Sequence, residues 1–248
     1  ISVSAFLLNR SSDLAIGVDC RVAMRRTLKQ LANSGIRRIS YDSGYTQRLD
    51  TAVRRDILDG VRAINQLVED ANGEILNANA KELSAHINCA VDHEPFQGHI
   101  FTNEQFENIQ IGLNFTDIYN NQFIGVNRAI GEFNCRHVAR AFIIGVSKPR
   151  YTIERLQKMI DDNHKGYTMS DGTHKTMYEC TQIQRQLETK IRYAKEEQMI
   201  MQEAGDIASA KLARTKVVKY TNQLKSFSNS CGLKLSKDRY TITGYRVI

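Results

Sequence analysis

His86-Ile87-Asn88-Cys89-Ala90-Val91-Asp92-His93-Glu94-Pro95-Phe96-Gln97-Gly98-His99 reads unlike the chain on either side of it. It opens a segment, His86 to Gly145, in which no clear helical period can be followed. The segment's other unusual run is Asn134-Cys135-Arg136-His137. Imidazoles, thiols and amides gathered where periodicity fails suit irregular backbone, whose polar groups need partners that ladders would otherwise supply. Set between helical flanks, the segment predicts an α+β fold. The expected architecture is a small central mixed core with short strands and irregular loops, flanked by helices, with a C-terminal helical hairpin.

Working back toward the N-terminus, Glu82 to Ile87 reads as a strand. Val53, Ile57, Val61, Ile64 and Val68 recur at helical spacing and predict a helix from about Asp50 to Ala71, closed by Asn72-Gly73. Ile36 to Tyr41 reads as a short strand before the turn Asp42-Ser43-Gly44. Ser11-Ser12-Asp13 caps a helix reaching about Asn33. Its free face carries Arg21, Arg25, Arg26 and Lys29. The chain starts Ile1-Ser2-Val3 without Met, so a preceding segment is expected.

Working forward, residues 103 to 110 form a helical turn or two, and Phe115 to Ile130 reads as a surface loop. Beyond Pro149, Ile153, Leu156 and Ile160 share the face of a helix over Thr152 to Asp161. A long helix follows from about Lys175 to Gly205, with Ile183, Leu187 and Ile191 at four-residue steps. Asp206 or Ser209 starts a second, ending at Cys231-Gly232, and the two make the hairpin. Tyr240 to Ile248 alternates like a strand. The expected division is residues 1–80, a helical part; 81–150, the His/Cys core; and 151–248, the hairpin and terminal strand.

The 248 residues are 42% hydrophobic and 25% charged, which fits a globular chain rather than a disordered one. The net charge of +7 favours polyanionic partners, nucleic acid first. An odd number of scattered cysteines, 5, is no disulfide framework and suits a reducing compartment. No apolar run is long enough to span a bilayer.

The chemistry-bearing residues are His86, His93, Cys135 and His137, whose donor types suit zinc. The same side chains serve equally to pin irregular backbone by hydrogen bonds. Cys135 with His93 or His137, and Gln97 as oxyanion donor, has the makings of a cysteine nucleophile. Asp92-His93-Glu94-Pro95 and Asn108-Ile109-Gln110 are similar to elements of HNH nucleases, without their cysteine finger or terminal histidine. Cys20, Cys89, Cys180 and Cys231 read as small core residues. Acidic residues interleave with the bases of the long helix but vanish from Lys211 to Lys225. Lys211, Arg214, Lys216, Lys219 and Lys225 are therefore the candidate contacts to DNA phosphate.

Several fragments occur in a telling order: Ser84-Ala85-His86; Asp92-His93, Phe96-Gln97-Gly98 and Phe101; Gly131 with Asn134-Cys135-Arg136-His137; Gly145-Val146-Ser147 with Pro149; and Tyr178-Glu179-Cys180-Thr181-Gln182. In this the chain resembles the phage minor capsid protein 2 family, relatives of the Mu F-like head proteins, from about Ser34 to Arg239. The resemblance implies a minor head protein made alongside the portal, located inside the capsid in the virion and in the host cytoplasm during assembly. Its implied partners are the portal, other head proteins and, non-specifically, double-stranded DNA. It also implies that His86, His93, Cys135 and His137 organise a site, with Asp92, Gln97, Gly98, Asn134 and Arg136 as its framework, and it brings no established catalytic activity. With no Gly-rich phosphate loop, paired catalytic carboxylates or complete nuclease finger in the segment, the chain is expected not to be an enzyme. The alternative is a metal- or cysteine-dependent nuclease or hydrolase carried in the head. Cys89 departs from the family pattern and stands as a potential fifth thiol.

Overall fold

The computed structural model describes residues 22, 38–40, 44, 46–112, 114–116, 123–125, 129–131 and 135–247. The helix expected from Ser11 to Asn33 lies outside the described residues except Val22, which is helical. The fold is α+β. The chain divides into one compact unit of residues 1–86 and 92–152 and a second of residues 87–91 and 153–248.

In the first unit, β1 (Arg38–Ser40) pairs antiparallel with β2 (Thr46–Arg48), which leads into α1 (Leu49–Ile75). That helix runs past the expected stop at Asn72-Gly73. Gly73 remains helical where α1 passes over the sheet, and a Cβ there would come 3.5 Å from that of Ala141. The actual stop is Asn77, at φ 50. Asn77 N donates to Glu74 O (3.2 Å) and Ala78 N to Gly73 O (2.8 Å), the reciprocal pair that closes helices on a left-handed residue.

A three-stranded antiparallel sheet follows, in the order β4-β3-β7, from β3 (Ala80–Leu83), β4 (Ile100–Thr102) and β7 (Ala139–Phe142). The strand expected over Glu82 to Ile87 therefore sits earlier. Pairing on both edges ends at Leu83 and Ser84, because the backbone at His86 is drawn to Gln97 instead: His86 N donates to Gln97 Oε1 (2.9 Å). Thr102 and Gln105 cap α2 (Asn103–Gln110) reciprocally. The core beneath the sheet is Leu83, Phe96, Phe101, Phe106, Ile109 and Ala139. The expected loop over Phe115 to Ile130 contains a minimal antiparallel pair, β5 (Phe115–Thr116) with β6 (Phe123–Ile124).

The second unit holds α3 (Ile153–Lys165), a small ribbon of β8 (Tyr167–Thr168) and β9 (His174–Lys175), and the hairpin of α4 (Met177–Glu203) and α5 (Ile207–Ser230). Thr176 and Glu179 form a capping box on α4, and the Asp206 side chain accepts from Ser209 N on α5. Ala194, Ala210 and Ala213 are buried where small residues let the helices approach. Residues 240–247 are not the expected strand. Among the described residues no strand runs beside them, and their side chains and carbonyls are used singly. Lys195 Nζ donates to Tyr240 O (2.8 Å), Gln198 Nε2 to Arg246 O (3.2 Å), and Tyr245 Oη to Gln198 Oε1 (2.7 Å). Among the described residues, no helix is long and apolar enough to cross a membrane.

Candidate functional site

The His/Cys centre lies wholly in the first unit and hangs from the end of the β3–β7 pairing. Ser84 N donates to Val138 O (2.9 Å), and Val138 N donates to Ser84 Oγ (3.0 Å). These two bonds carry the ladder one step beyond the strands and fix the backbone next to His137. Gln66 of α1 holds the other edge of β7. Ala139 N donates to Gln66 Oε1 (2.9 Å), and Gln66 Nε2 donates to Ala139 O (3.0 Å), so the amide takes the place of a further strand. His93 ends a 3-10 turn, Val91–His93, and its carbonyl accepts from Phe96 N (3.4 Å) and Gln97 N (3.1 Å). Gln97 therefore ties two histidine-bearing segments together, His86 through its side chain and His93 through its backbone. Gly98, at φ 73, makes the sharp exit toward β4 that a side chain would resist.

Three of the predicted ligands converge. Cys135 Sγ lies 3.3 Å from His137 Nδ1 and 3.8 Å from His93 Nδ1. One donor atom from each of the three falls within 4.8 Å of the others. They are sealed, at 2% (His93), 5% (Cys135) and 3% (His137) exposed. The His93 ring is 5.1 Å from those of both His137 and Phe96.

His86 stands beside this group. Its ring meets His137 edge-on at 4.6 Å, and its Nε2 hydrogen-bonds Ser84 Oγ (3.3 Å). Partial burial of the ring pushes the His86 pKa below its ordinary value; a hydrogen bond with the Arg136 backbone opposes this, and the Arg136 charge adds to it.

The remaining predicted residues scatter in role. Asp92 is half-buried in the 3-10 turn, Arg136 is exposed, and Asn134 lies outside the described residues. Cys89 belongs to the second unit, where its carbonyl accepts from Asn163 Nδ2 (3.3 Å). Cys180 and Cys231 are buried in that unit and hydrogen-bond each other. Burial and the bond to Cys180 push the Cys231 thiol up to about 12. Along α5, Lys211, Lys216, Lys219 and Lys225 are exposed and Arg214 is half-buried.

Sequence reading misses the residues that position the centre. Gln66 is indistinguishable in sequence from any solvent-facing glutamine. Glu82 is buried in a strand and accepts from Arg150 N (2.6 Å). In the second unit, and no part of the centre, buried Asn163 also accepts from Tyr178 N (2.8 Å), and nothing in its neighbourhood marks it. Ser84 alone has a signal, since it opens the family's first fragment.

Two imidazoles and a thiol at these distances have two chemistries open to them, holding a borderline-soft metal or pairing a thiol with a base. The family model described as Phage minor capsid protein 2 matches residues 13–229. The chain belongs to the phage minor capsid protein 2 family. Its role is accordingly structural, and its place is in the phage head. No curated protein and no solved structure matches the chain. Within this minor capsid protein the His/Cys centre is thus a feature of a virion component, and all three of its side chains are buried.

Proposed function

We propose that this minor capsid protein works inside the head beside the portal, joins other head proteins during assembly in the host cytoplasm, and contacts packaged DNA through α5 without turning over a substrate. The observation that carries the DNA part is the exposure of lysines on a helix stretch without acids. At about 100° per residue, Lys211 and Lys219 fall on the side of α5 opposite buried Val217 and Leu224, with Lys225 flanking them. The five predicted phosphate contacts are unequal. Lys216 Nζ is paired with Glu197 (2.8 Å), and Arg214 Nη1 donates to Tyr245 Oη (3.4 Å). Lys211, Lys219 and Lys225 carry the reading.

Docking onto head proteins is supported by apolar side chains around the turn of the hairpin. Ile200 is 63% exposed, Ile207 50% and Leu212 67%. Apolar side chains clustered in the open mark interaction surfaces.

DNA binding measured against salt tests the first part. Affinity should be insensitive to sequence and fall steeply with salt. Replacing Lys211, Lys219 and Lys225 by Ala should flatten the slope by about 0.9 for each phosphate no longer neutralised, and Lys216→Ala should change it less. An unchanged slope in the triple variant overturns the DNA contact. Co-expression with the portal tests the second part: Leu212→Asp with Ile207→Asp should abolish co-purification, and undiminished co-purification overturns this docking face.

A further inference from the structure

We propose that His93, Cys135 and His137 bind one zinc ion through two imidazole nitrogens and one thiolate. The two sulfur–nitrogen separations fit such an ion. Zinc bonds of about 2.0–2.1 Å to nitrogen and about 2.3 Å to sulfur, at tetrahedral angles, put neighbouring donor atoms about 3.3–3.8 Å apart. The two sulfur–nitrogen separations are 3.3 Å and 3.8 Å. All three donor atoms lie within 4.8 Å of one another, so a single ion reaches each once the two imidazole rings turn toward each other by up to about an ångström.

The donor set selects the metal. Thiolate with imidazole suits zinc and excludes calcium and magnesium, which take oxygen ligands. The framework selects the geometry. His137 is held by the Ser84–Val138 bonds and by the grip of Gln66 on Ala139, and His93 by the turn that Gln97 closes. Metal-ligating histidines need such support to keep their rings aimed. Three protein donors leave the fourth corner of the tetrahedron to water or another small ligand. His86, edge-on to His137 and hydrogen-bonded by Ser84 and Arg136, is a positioning neighbour rather than that fourth donor.

Binding deprotonates the Cys135 thiol and releases its proton to solvent; the imidazoles bind neutral. The ion then cross-links two segments 42 residues apart, so metal binding stabilises the first unit.

The test uses the full chain purified under reducing conditions. Elemental analysis should find about one zinc per chain, lost in Cys135→Ser and in His137→Ala. Cobalt added to metal-free protein should give a thiolate-to-cobalt charge-transfer band and the intense visible bands of a four-coordinate ion. Chelation should lower the Tm of the first unit by roughly 10 °C. X-ray absorption should count one sulfur and three nitrogen or oxygen neighbours. The site is overturned by zinc that stays in Cys135→Ser, which marks an adventitious ion only. It is equally overturned if wild-type protein takes up neither zinc nor cobalt, or gives a cobalt spectrum without the thiolate band, results that stand even if the variants fail to fold. A third imidazole in the absorption data would place His86 in the shell and overturn the three-donor set. None of these readouts depends on head assembly or DNA.

Discussion

The sheet-bearing unit buries Phe96, Phe101, Phe106 and Ile109 against one another, whereas the hairpin unit buries Gln184 against Ser228 between its helices, and Glu188 and Gln198 beside the segment that follows them. Gln184 Nε2 donates to Ser228 Oγ (3.0 Å) and Lys234 O (3.2 Å), and the apolar cluster nearby is only Ile191, Leu224 and Tyr240 with their half-buried neighbours. Apolar burial rewards area and tolerates small shifts. Buried hydrogen bonds reward one alignment and penalise every other. The first unit thus has the stability to carry a polar His/Cys knot at its edge. In the second, the Gln184–Ser228 pair favours one register of two helices whose small residues would pack in several.

The largest test of this contrast is in the aromatic core. Phe101→Ala should cost about 3–5 kcal/mol, read by denaturant unfolding with hydrogen exchange to localise the loss to the first unit. A cost under about 1 kcal/mol would mean that the core is too loosely packed to support the knot. In the hairpin, Gln198→Ala removes the acceptor of Tyr245 and the donor to Arg246 O at a site with no exposure, and should cost about 1–3 kcal/mol. Exchange should rise along α4 and residues 240–247 together. If α4 alone loosens, the terminal segment is held by something other than Gln198.

The smallest expected effect is on pH. Glu179 and Asp206 cap α4 and α5. Hydrogen bonds from the Thr176 backbone to Glu179, and from the Ser209 side chain and backbone to Asp206, hold both carboxyls below their ordinary values. Their stabilising contribution is complete above the unfolded carboxylate range and is lost as pH falls through their depressed folded values. In α1 the sign reverses. Burial raises Asp56 and Asp59, despite nearby arginines, so protonation favours the folded state and the first unit gains as pH falls toward about 4. The cap of α2, Thr102 with Gln105, carries no charge to lose. Mild acid should therefore lower the Tm of the hairpin unit through its two caps. In the first unit the gain at Asp56 and Asp59 is opposed by His86, whose lowered pKa costs stability as pH falls below its ordinary value, and by release of any zinc bound at the His/Cys centre. Asp206→Asn, which keeps a capping oxygen, should remove much of the hairpin's acid sensitivity with little loss at neutral pH. A hairpin unit whose acid response is unchanged in Asp206→Asn and in Glu179→Gln would break this account of its caps.

The hairpin is legible in the sequence because its signals are local. Ile183, Leu187 and Ile191 set the face, Asp206 the cap, and Gly205 and Gly232 the stops. The helix at Leu49–Ile75 is legible in the first half of its stripe, where Val53 and Ile57 are buried, but not at Val68, which is 55% exposed, nor in its end, because Gly73 answers to the neighbouring strand rather than to the helix terminus. The alternation in Tyr240 to Ile248 is real, yet a strand needs a partner and sequence names none. At the centre, residue type singles out His93, Cys135 and His137, and order within the family supports them. Their meeting depends on Gln66, Gln97 and the Ser84–Val138 step, contacts across tens of residues that no local pattern encodes. The same logic demotes His86: its type fits a ligand, but Ser84, Arg136 and Gln97 claim it.

Lys195 and Gln198, in the middle of α4, bond to the carbonyls of Tyr240 and Arg246. Between them in the chain lie the rest of α4 and all of α5. During synthesis, the polar groups of α4 must therefore wait in water or on a chaperone until Arg246 has cleared the ribosome. The sheet unit has all its ligands and strands made about a hundred residues earlier and is free to fold while the chain grows. The fastening of residues 240–247 onto α4 can therefore only follow synthesis of the whole hairpin, so a chain cut short within α5 would leave Lys195 and Gln198 without these carbonyls.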